Sequence, residues 1–565
     1  MNPPSSRLRS PLARAAGIAL VAGALTQLIL SASASAKGDP LEAGKPRERE
    51  ISKGETHVYE IFVPPDRLVN GVVDQRGIDV MVRLVDPSGA TIATIDSPNG
   101  AHGPEPWTLD GKTSGTWRIE VSPFPESTNK GRYEARIDEI ITLDQRDERV
   151  AHARYASPRV RRLWREKREG GAAAIDRFAK EMEGHAPLVE PVPDDPRGDV
   201  LITFARRISP ETRYVGLLGG PVVKDFEIPL PRFEGSELAL ITLRTPKDAR
   251  FTYRFRAGDP PSASVTSMEA EALDRTAEND PWNPRRFGAG SFVELPAAPP
   301  QTLTQPAPGV PAGTRLEKTI HSAILGEDRK IGVYLPPGFV ASGGPYPLLI
   351  AFDGDGFVGA PSELFSTPTL LDNLIAQQKI PPTVGVFVYQ GATRSRDLPM
   401  SAPFSEFLAS ELAPWARREY RAAADPRQVT VTGFSFGGLC AMYTAFHHPD
   451  VFGNALSQSG SFWFSPGALE VASPFALETG AMMREIVAAP TQPVRVWMEV
   501  GRFEGSAPLA GGNQVGQNRH LRDVLLAKGY RVSYHEYSGD HSYASWRGSL
   551  ADGLVELAGV PEAGR

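Results

Sequence analysis

Residues 428–446 read QVTVTGFSFGGLCAMYTAF. Val429, Thr430, Val431 and Thr432 are a β-branched run, the composition of a buried strand. Gly433-Phe434-Ser435-Phe436-Gly437-Gly438 follows as a turn, and Leu439 to Phe446 begins a helix. A bare G-x-S-x-G occurs in ordinary turns, but between a strand and a helix it forms a nucleophile elbow, which holds a serine hydroxyl exposed at the C-terminal edge of an α/β sheet. The turn is sharp enough that side chains at Gly433 or Gly437 are expected to collide with neighbouring backbone.

A serine hydroxyl is a weak nucleophile until a histidine takes its proton. Of ten histidines, His541 lies in the loop Ser538-Gly539-Asp540-His541-Ser542, just past a strand spelled Arg531 to Tyr537. His535 falls inside that strand and reads as packing, while His447 and His448 close the elbow helix, near the negative end of its dipole. The third member, which orients the imidazole, should lie between serine and histidine in sequence, on a loop. Glu504 fits, following the strand Val494 to Val500. Asp540 would have to turn back onto its neighbour's ring, and it reads as a loop residue as Glu499 reads as a strand residue. The oxyanion hole needs backbone N–H groups, expected at Phe436 and on the Asp353-Gly354 loop, where Gly354 lets the backbone approach closely.

Working outward, the segment 314–560 alternates strands and helices, including Tyr346 to Phe352, Val384 to Val388 and an amphipathic helix from Phe404 to Tyr420. This predicts an α/β hydrolase catalytic domain. Two small β-sandwich domains are expected before it, at 45–143 and 186–296. Both have short alternating strands, such as His57 to Val63, Asp79 to Val85, Glu237 to Leu243 and Ala249 to Phe255, separated by Gly and Pro turns. Residues 146–185 carry Val160, Leu163, Trp164, Ile175, Phe178 and Met182 at helical spacing around Gly170-Gly171, a helical hairpin. A Pro-rich linker is expected at 297–313.

The chain has 565 residues, 41% hydrophobic and 23% charged, an ordinary globular composition. One cysteine, Cys440, excludes an intrachain disulfide and Cys-type metal sites. Arg7, Arg9 and Arg14, the apolar run from Ala15 to Leu25 and the small residues Ala34-Ser35-Ala36 read as a cleaved secretory signal peptide at 1–36. No cysteine follows it for lipidation, no paired arginines suggest twin-arginine export, and no later run is long enough to span a membrane. A periplasmic or secreted protein is expected. The chain carries 61 basic and 67 acidic side chains, a net −6. Without the leader's three arginines the balance is 58 against 67, or −9. An acidic chain without a basic tail is not built for nucleic acid.

The strings GETHVYEIFVP, VRLVDPSGATI, SGTWRIEVSP and GRYEARI resemble the pre-peptidase C-terminal domain family of secreted bacterial enzymes, which implies an accessory module without catalytic residues. EGHAPLVEPVP, ARFTYRFRA and NDPWNPRRFGAGSFVELPAAPP resemble the N-terminal domain of enterochelin (ferric enterobactin) esterases. LLIAFDGDGF, ELAPWARREY, VTVTGFSFGGLCAM, HPDVFGNALSQSGSFWF, EVGRFE and NRHLRDVLLAKGYRVSYHEYSGDHSYASWRGSL are similar to esterase-D-type α/β hydrolases, specifically their enterochelin esterase branch. The resemblance implies serine ester hydrolysis without metal or other cofactor, opening the trilactone of catecholate siderophores or their ferric complexes. It carries the nucleophile onto Ser435, the histidine onto His541, the acid onto Glu504 and the oxyanion loop onto Asp353-Gly354. Asp540 and Ser542 stand where the family commonly has a Gly and an acid. Phe434 and Phe436 flank the nucleophile and are placed to narrow or stack the acyl pocket.

The expected partner is a small-molecule ester, such as a ferric siderophore. A bulky trianionic substrate calls for arginines and aromatics. Arg396 is the first candidate, with Arg394, Arg502, Arg519, Arg547, Trp463 and Trp546 beside it. Two other functions fit parts of the sequence. One is a secreted carbohydrate acyl esterase, feruloyl or acetyl, with sandwiches that hold polymer; the other is a noncatalytic secreted binding protein, which the set Ser435, Glu504 and His541 argues against.

Overall fold

The computed structural model describes residues 38–221, 227–261, 273, 275–358, 364–466, 480–504 and 513–558. The leader expected at 1–36 lies outside the described residues. The chain forms two compact units, divided between Arg154 and Tyr155.

In the first unit, a five-stranded and a four-stranded sheet enclose one core. Tyr59, Ile61 and Val63 alternate inward along His57–Val63, the period of two that a strand imposes. Trp107 and Tyr133 enter from the other sheet. Gly71 sits at a register shift in the long strand Arg67–Arg76. A Cβ there would lie 2.1 Å from the Trp107 ring and 2.4 Å from the Arg136 carbonyl oxygen, so no other residue fits. Helix Leu143–Arg154 ends the unit.

The second unit opens with the hairpin of helices Pro158–Gly170 and Ala172–Met182. The helical stretch expected at 146–185 therefore divides. Ser157 caps the first helix of the hairpin by accepting from Val160 N, and Pro158 occupies its first turn, which starts a new helix instead of continuing the previous one. A second β-rich region follows, with a three-stranded and a five-stranded sheet around Phe204, Leu217, Phe251, Tyr253 and Phe255. The Asp280-Pro281-Trp282-Asn283-Pro284 string is a structural clasp. Buried Asp280 accepts from Tyr253 Oη at 2.6 Å and Trp282 N at 2.8 Å, and Asn283 Nδ2 donates to Phe292 O at 3.1 Å. These bonds hold the hairpin Arg286–Phe287 and Gly290–Glu294 on its sheet.

Residues 297–313 are not a free linker. Asn373 Nδ2 donates to Leu303 O and Gln305 O, both at 2.8 Å, Gln301 Nε2 donates to Ala544 O at 2.8 Å, and Gly313 N donates to Asp372 Oδ1 at 2.8 Å. The prolines stiffen a strap whose carbonyls and amides are taken by the domain it crosses.

The remainder is an α/β hydrolase-like fold. Its eight-stranded sheet runs in the order Thr314–Ser322, Glu327–Leu335, Val384–Val388, Leu348–Ala351, Val429–Phe434, Asn454–Gln458, Arg495–Gly501, Arg531–Tyr537. The first two junctions are antiparallel and the others parallel. Leu348 and Ile350 enter one core and Leu349 and Ala351 the other, so both faces are covered, as a parallel sheet requires. The helix expected from Phe404 to Tyr420 widens to π geometry over Phe407–Leu412. Pro414 has no N–H to return to Ser410, and its ring would clash with that carbonyl.

Candidate active site

Val429–Phe434 is buried throughout and ends at Ser435, whose φ of 57° and ψ of −122° lie outside the regions an ordinary side chain favours. The strained turn is held from three sides: Ser435 N donates to Gln458 O at 2.9 Å, while Ser435 O accepts from Leu439 N and Ser461 N, both at 3.1 Å. Helix Phe436–His447 starts immediately after it, so its N-terminal N–H groups and positive dipole end lie at the serine. A Cβ on Gly433 would meet the Gly437 backbone at 2.7 Å, as expected. The expectation fails at Gly437, where the nearest atom stands at 3.6 Å; the tight position is Gly438, whose Cβ would come within 2.7 Å of Ser457 Oγ and 3.0 Å of Gly460 Cα. The helix turns Gly437 towards the open side at Asp353, and Gly438 towards the neighbouring strand end.

His541 Nδ1 and Glu504 Oε2 are 2.6 Å apart. Glu504 is buried, and its other oxygen accepts from Ser459 Oγ and Gly501 N, both at 2.8 Å. Ser459 in turn accepts from Trp546 Nε1 at 2.8 Å, and Trp546 meets His541 edge-on, ring centres 4.7 Å apart. The carboxylate is thus oriented by three donors and the imidazole by carboxylate and indole together. The two alternatives to Glu504 are placed differently. Glu499 lies fully inside, near Ser549 Oγ at 3.2 Å, and burial followed by the Glu504 charge pushes its carboxyl well above the usual range. Asp540 is also buried, which raises its carboxyl, and its oxygens accept from Thr252 and Ser542.

Ser435 and His541 line one cleft of about 460 Å³. Its far wall comes from the second β-rich region: Leu218, Thr252, Arg254 and the hairpin tip Phe287 to Gly290. None of the site residues expected from the sequence lies in that region. The motif NDPWNPRRFGAG contained the tip, but its role depends on the clasp that aims it. Tyr543 also faces the cleft, and burial pushes its phenol up to about 12, so the hydroxyl keeps its proton and can donate.

Asp353, with φ of 53°, follows the strand beside the elbow, and Gly354 opens a short helix Gly354–Val358. Burial raises the Asp353 carboxyl, opposed by Arg394, which grips it at 2.8 and 3.0 Å. Arg394 lines the cleft and lies 5.9 Å from the Phe434 ring centre and 6.0 Å from that of Phe436. Phe434 lines the cleft, its ring stacked on Trp546 at 4.5 Å and on Phe365 at 5.7 Å. Phe436 packs against Trp463 and Phe464.

The remaining substrate candidates scatter. Arg396 does not line the cleft; its guanidinium is held by Glu327 and Asp397. Arg502 and Arg519 border a separate depression, where Arg519 forms a two-point pair with Glu536 at 2.6 and 2.7 Å. Trp463 is buried beside Phe436. Trp546 lines the cleft, but one face belongs to Phe434. Arg547 lies over the Phe287 ring at 4.4 Å and borders a second cavity of about 330 Å³ under the strap, which neither Ser435 nor His541 lines. Cys440 is buried in the elbow helix, Sγ 3.8 Å from Thr444 Oγ1, and burial pushes its thiol up, which makes it inert. Among the described residues no group of three or more His, Cys, Asp or Glu side chains is placed to hold a metal ion, and no helix is long and apolar enough to cross a membrane.

Residues 322–557 match the family described as putative esterase. The iron(III) enterobactin esterase of Dickeya dadantii is 32% identical over 280 residues, which cover 47% of this chain and 60% of that protein. The enzyme of the same name from Escherichia coli K12 is 27% identical over 282 residues, covering 49% of this chain and 65% of the other. The chain thus spans a little under two thirds of these relatives' lengths. The solved ferric enterobactin esterase of Salmonella typhimurium superposes with a TM-score of 0.53 at 24% identity, over 68% of this chain and 98% of that one, a likeness of fold. The elbow and the parallel sheet thus lie in the segment that matches the putative esterase family, and the chain is similar there to iron(III) enterobactin esterases.

Proposed function

We propose that the protein is a serine carboxylic ester hydrolase that opens the trilactone of catecholate siderophores such as enterobactin or its ferric complex. The observation that carries the chemistry is the 2.6 Å contact of His541 Nδ1 with Glu504, in one cleft with a serine held at a strained elbow. Glu504 fixes the tautomer that leaves His541 Nε2 free to take the Ser435 proton as Oγ attacks the ester carbonyl. The carbonyl oxygen becomes an oxyanion, received by N–H groups of Phe436 and of the Asp353-Gly354 loop. His541 then gives its proton to the departing alkoxide, leaving an acyl-serine. Water, deprotonated by the same imidazole, attacks the acyl carbon and releases acid and free serine.

The substrate class is supported by the relatives' names and by the cleft, where Arg254, Arg394, Phe287 and Tyr543 offer charge and aromatic surface to an anionic catecholate. The basic and apolar leader supports export to the periplasm or beyond.

Full-length protein should hydrolyse p-nitrophenyl butyrate, and Ser435→Ala should lower kcat by about 10,000-fold or more. Activity surviving that change would refute the assignment. Hydrolysis of ferric and iron-free enterobactin, read by liberated dihydroxybenzoyl-serine, should exceed release of ferulate or acetate from decorated xylan. The reverse preference would replace the siderophore reading with the carbohydrate one.

A further inference from the structure

One strand of the second β-rich region reaches both flanks of the Glu504–His541 pair. Arg250 N donates to Ser538 O at 2.9 Å, and Arg250 pairs with Gly539 as a parallel bridge. Two residues on, Thr252 N and Oγ1 both donate to Asp540 Oδ2, at 3.0 and 3.1 Å. The other Asp540 oxygen accepts from Ser542 Oγ at 2.5 Å and Ser545 Oγ at 3.2 Å. Between these, the Phe251 ring meets Phe503 edge-on at 6.0 Å, and Phe503 N donates to Gly539 O at 3.1 Å. Asp540 immediately precedes His541, and Phe503 immediately precedes Glu504.

A buried carboxylate is a costly way to join two regions, since apolar side chains would do so without desolvating a charge. What the carboxylate adds is direction: the two Thr252 donors tie the loop 538–542 to the strand, while Ser542 and Ser545 Oγ brace the same side chain from the loop and the helix that follows it. Glu504 alone cannot do this, because a single bond to Nδ1 lets the ring swing with its backbone. Gly539 lets the same loop pack closely, since a Cβ there would lie 2.4 Å from Ser545 Oγ.

We propose that Thr252 and Asp540 are positioning residues for His541, so that the second β-rich region is a working part of the proton-transfer apparatus as well as a wall of the cleft. The inference rests on the serine esterase reading above. A displacement of the imidazole by about 1 Å is enough to cost about 100-fold in turnover.

The test uses full-length protein and p-nitrophenyl butyrate, with the rate of Ser435 phosphonylation by a fluorophosphonate as a second readout. Asp540→Ala should lower kcat about 100-fold and leave KM within about twofold. Thr252→Val, which keeps the side-chain shape and the backbone N–H, should lower kcat and the phosphonylation rate about fivefold to tenfold, and Thr252→Ser, which restores the hydroxyl, should recover most of both. If Thr252→Val keeps full kcat, or if its loss appears in KM with kcat unchanged, Thr252 is only cleft wall and the proposal is wrong. Should Asp540→Ala fail to fold, the Thr252 pair decides alone. Ser435→Ala in the same assay separates the two levels: an active Ser435→Ala overturns the esterase reading, whereas an inactive Ser435→Ala beside a fully active Thr252→Val overturns only the positioning role.

Discussion

The two β-rich regions are built from similar strands yet use their polar groups differently. In the first, buried Glu105 accepts from Gln75 Nε2 at 3.0 Å and from Ser97 N and Oγ at 2.8 and 2.9 Å, and the Tyr59 and Tyr133 hydroxyls pair at 2.7 Å. These bonds tie its own strands together. In the second, the backbone N–H of Arg250 and both donors of Thr252 go to the loop that carries His541. A two-sheet region comes to border a candidate site through which strand edge is left to pair and what lies beside it; its apolar core can be much the same either way.

The comparison is sharpest where the largest effect is expected. Glu504→Gln keeps size but loses the charge that supports the imidazolium, and should lower kcat by about 1,000 to 10,000-fold with little change in KM. Steady-state rates on a p-nitrophenyl ester check this, and a fall under tenfold would move the acid elsewhere. Next comes stability at the elbow. Gly433→Ala should cost about 2–4 kcal/mol in urea unfolding, because a Cβ meets backbone at 2.7 Å. Gly437→Ala, with 3.6 Å of clearance inside a helix, should be neutral or gain up to about 1 kcal/mol.

Gly71→Ala probes the contrast directly. It should destabilise the first unit by about 2–4 kcal/mol, seen as an earlier melting step, while kcat on a small ester stays within about twofold. A parallel loss of kcat would show that the first region also serves the site. The smallest effect is a pH dependence. The Glu499 carboxyl is raised in the folded protein, so as pH climbs past its unfolded value the unfolded chain loses a proton that the folded chain keeps, and stability falls. Glu499→Gln should therefore raise the melting temperature at pH 8 by about 2–4 °C and leave it unchanged at pH 4. An equal gain at both would point to packing instead of titration.

What was legible in the sequence is what neighbouring residues encode. The elbow, its strand and its helix follow from nineteen consecutive residues, and the positions of His541 and Glu504 follow from the strand ends before them. What was not legible depends on distant partners. Arg396 reads as a substrate arginine until Glu327, 69 residues away, is found holding it. The prolines of 297–313 read as a spacer until Asn373 is seen taking the carbonyls. Asp540 reads as a loop residue because two of its four donors lie on Thr252, 288 positions earlier. The stacking partners of Phe434, Trp546 and Phe365, were equally out of view.

That span of 288 residues also orders events in time. Contacts so far apart in sequence close late, after local helices and hairpins have formed. The strand carrying Thr252 leaves the ribosome long before Asp540, so the proposed positioning of His541 cannot be complete until nearly all of the chain has been made and packed. Recovery of ester turnover during refolding should therefore trail the tryptophan fluorescence of Trp107 and Trp117, both in the first core, and mark the last step of folding.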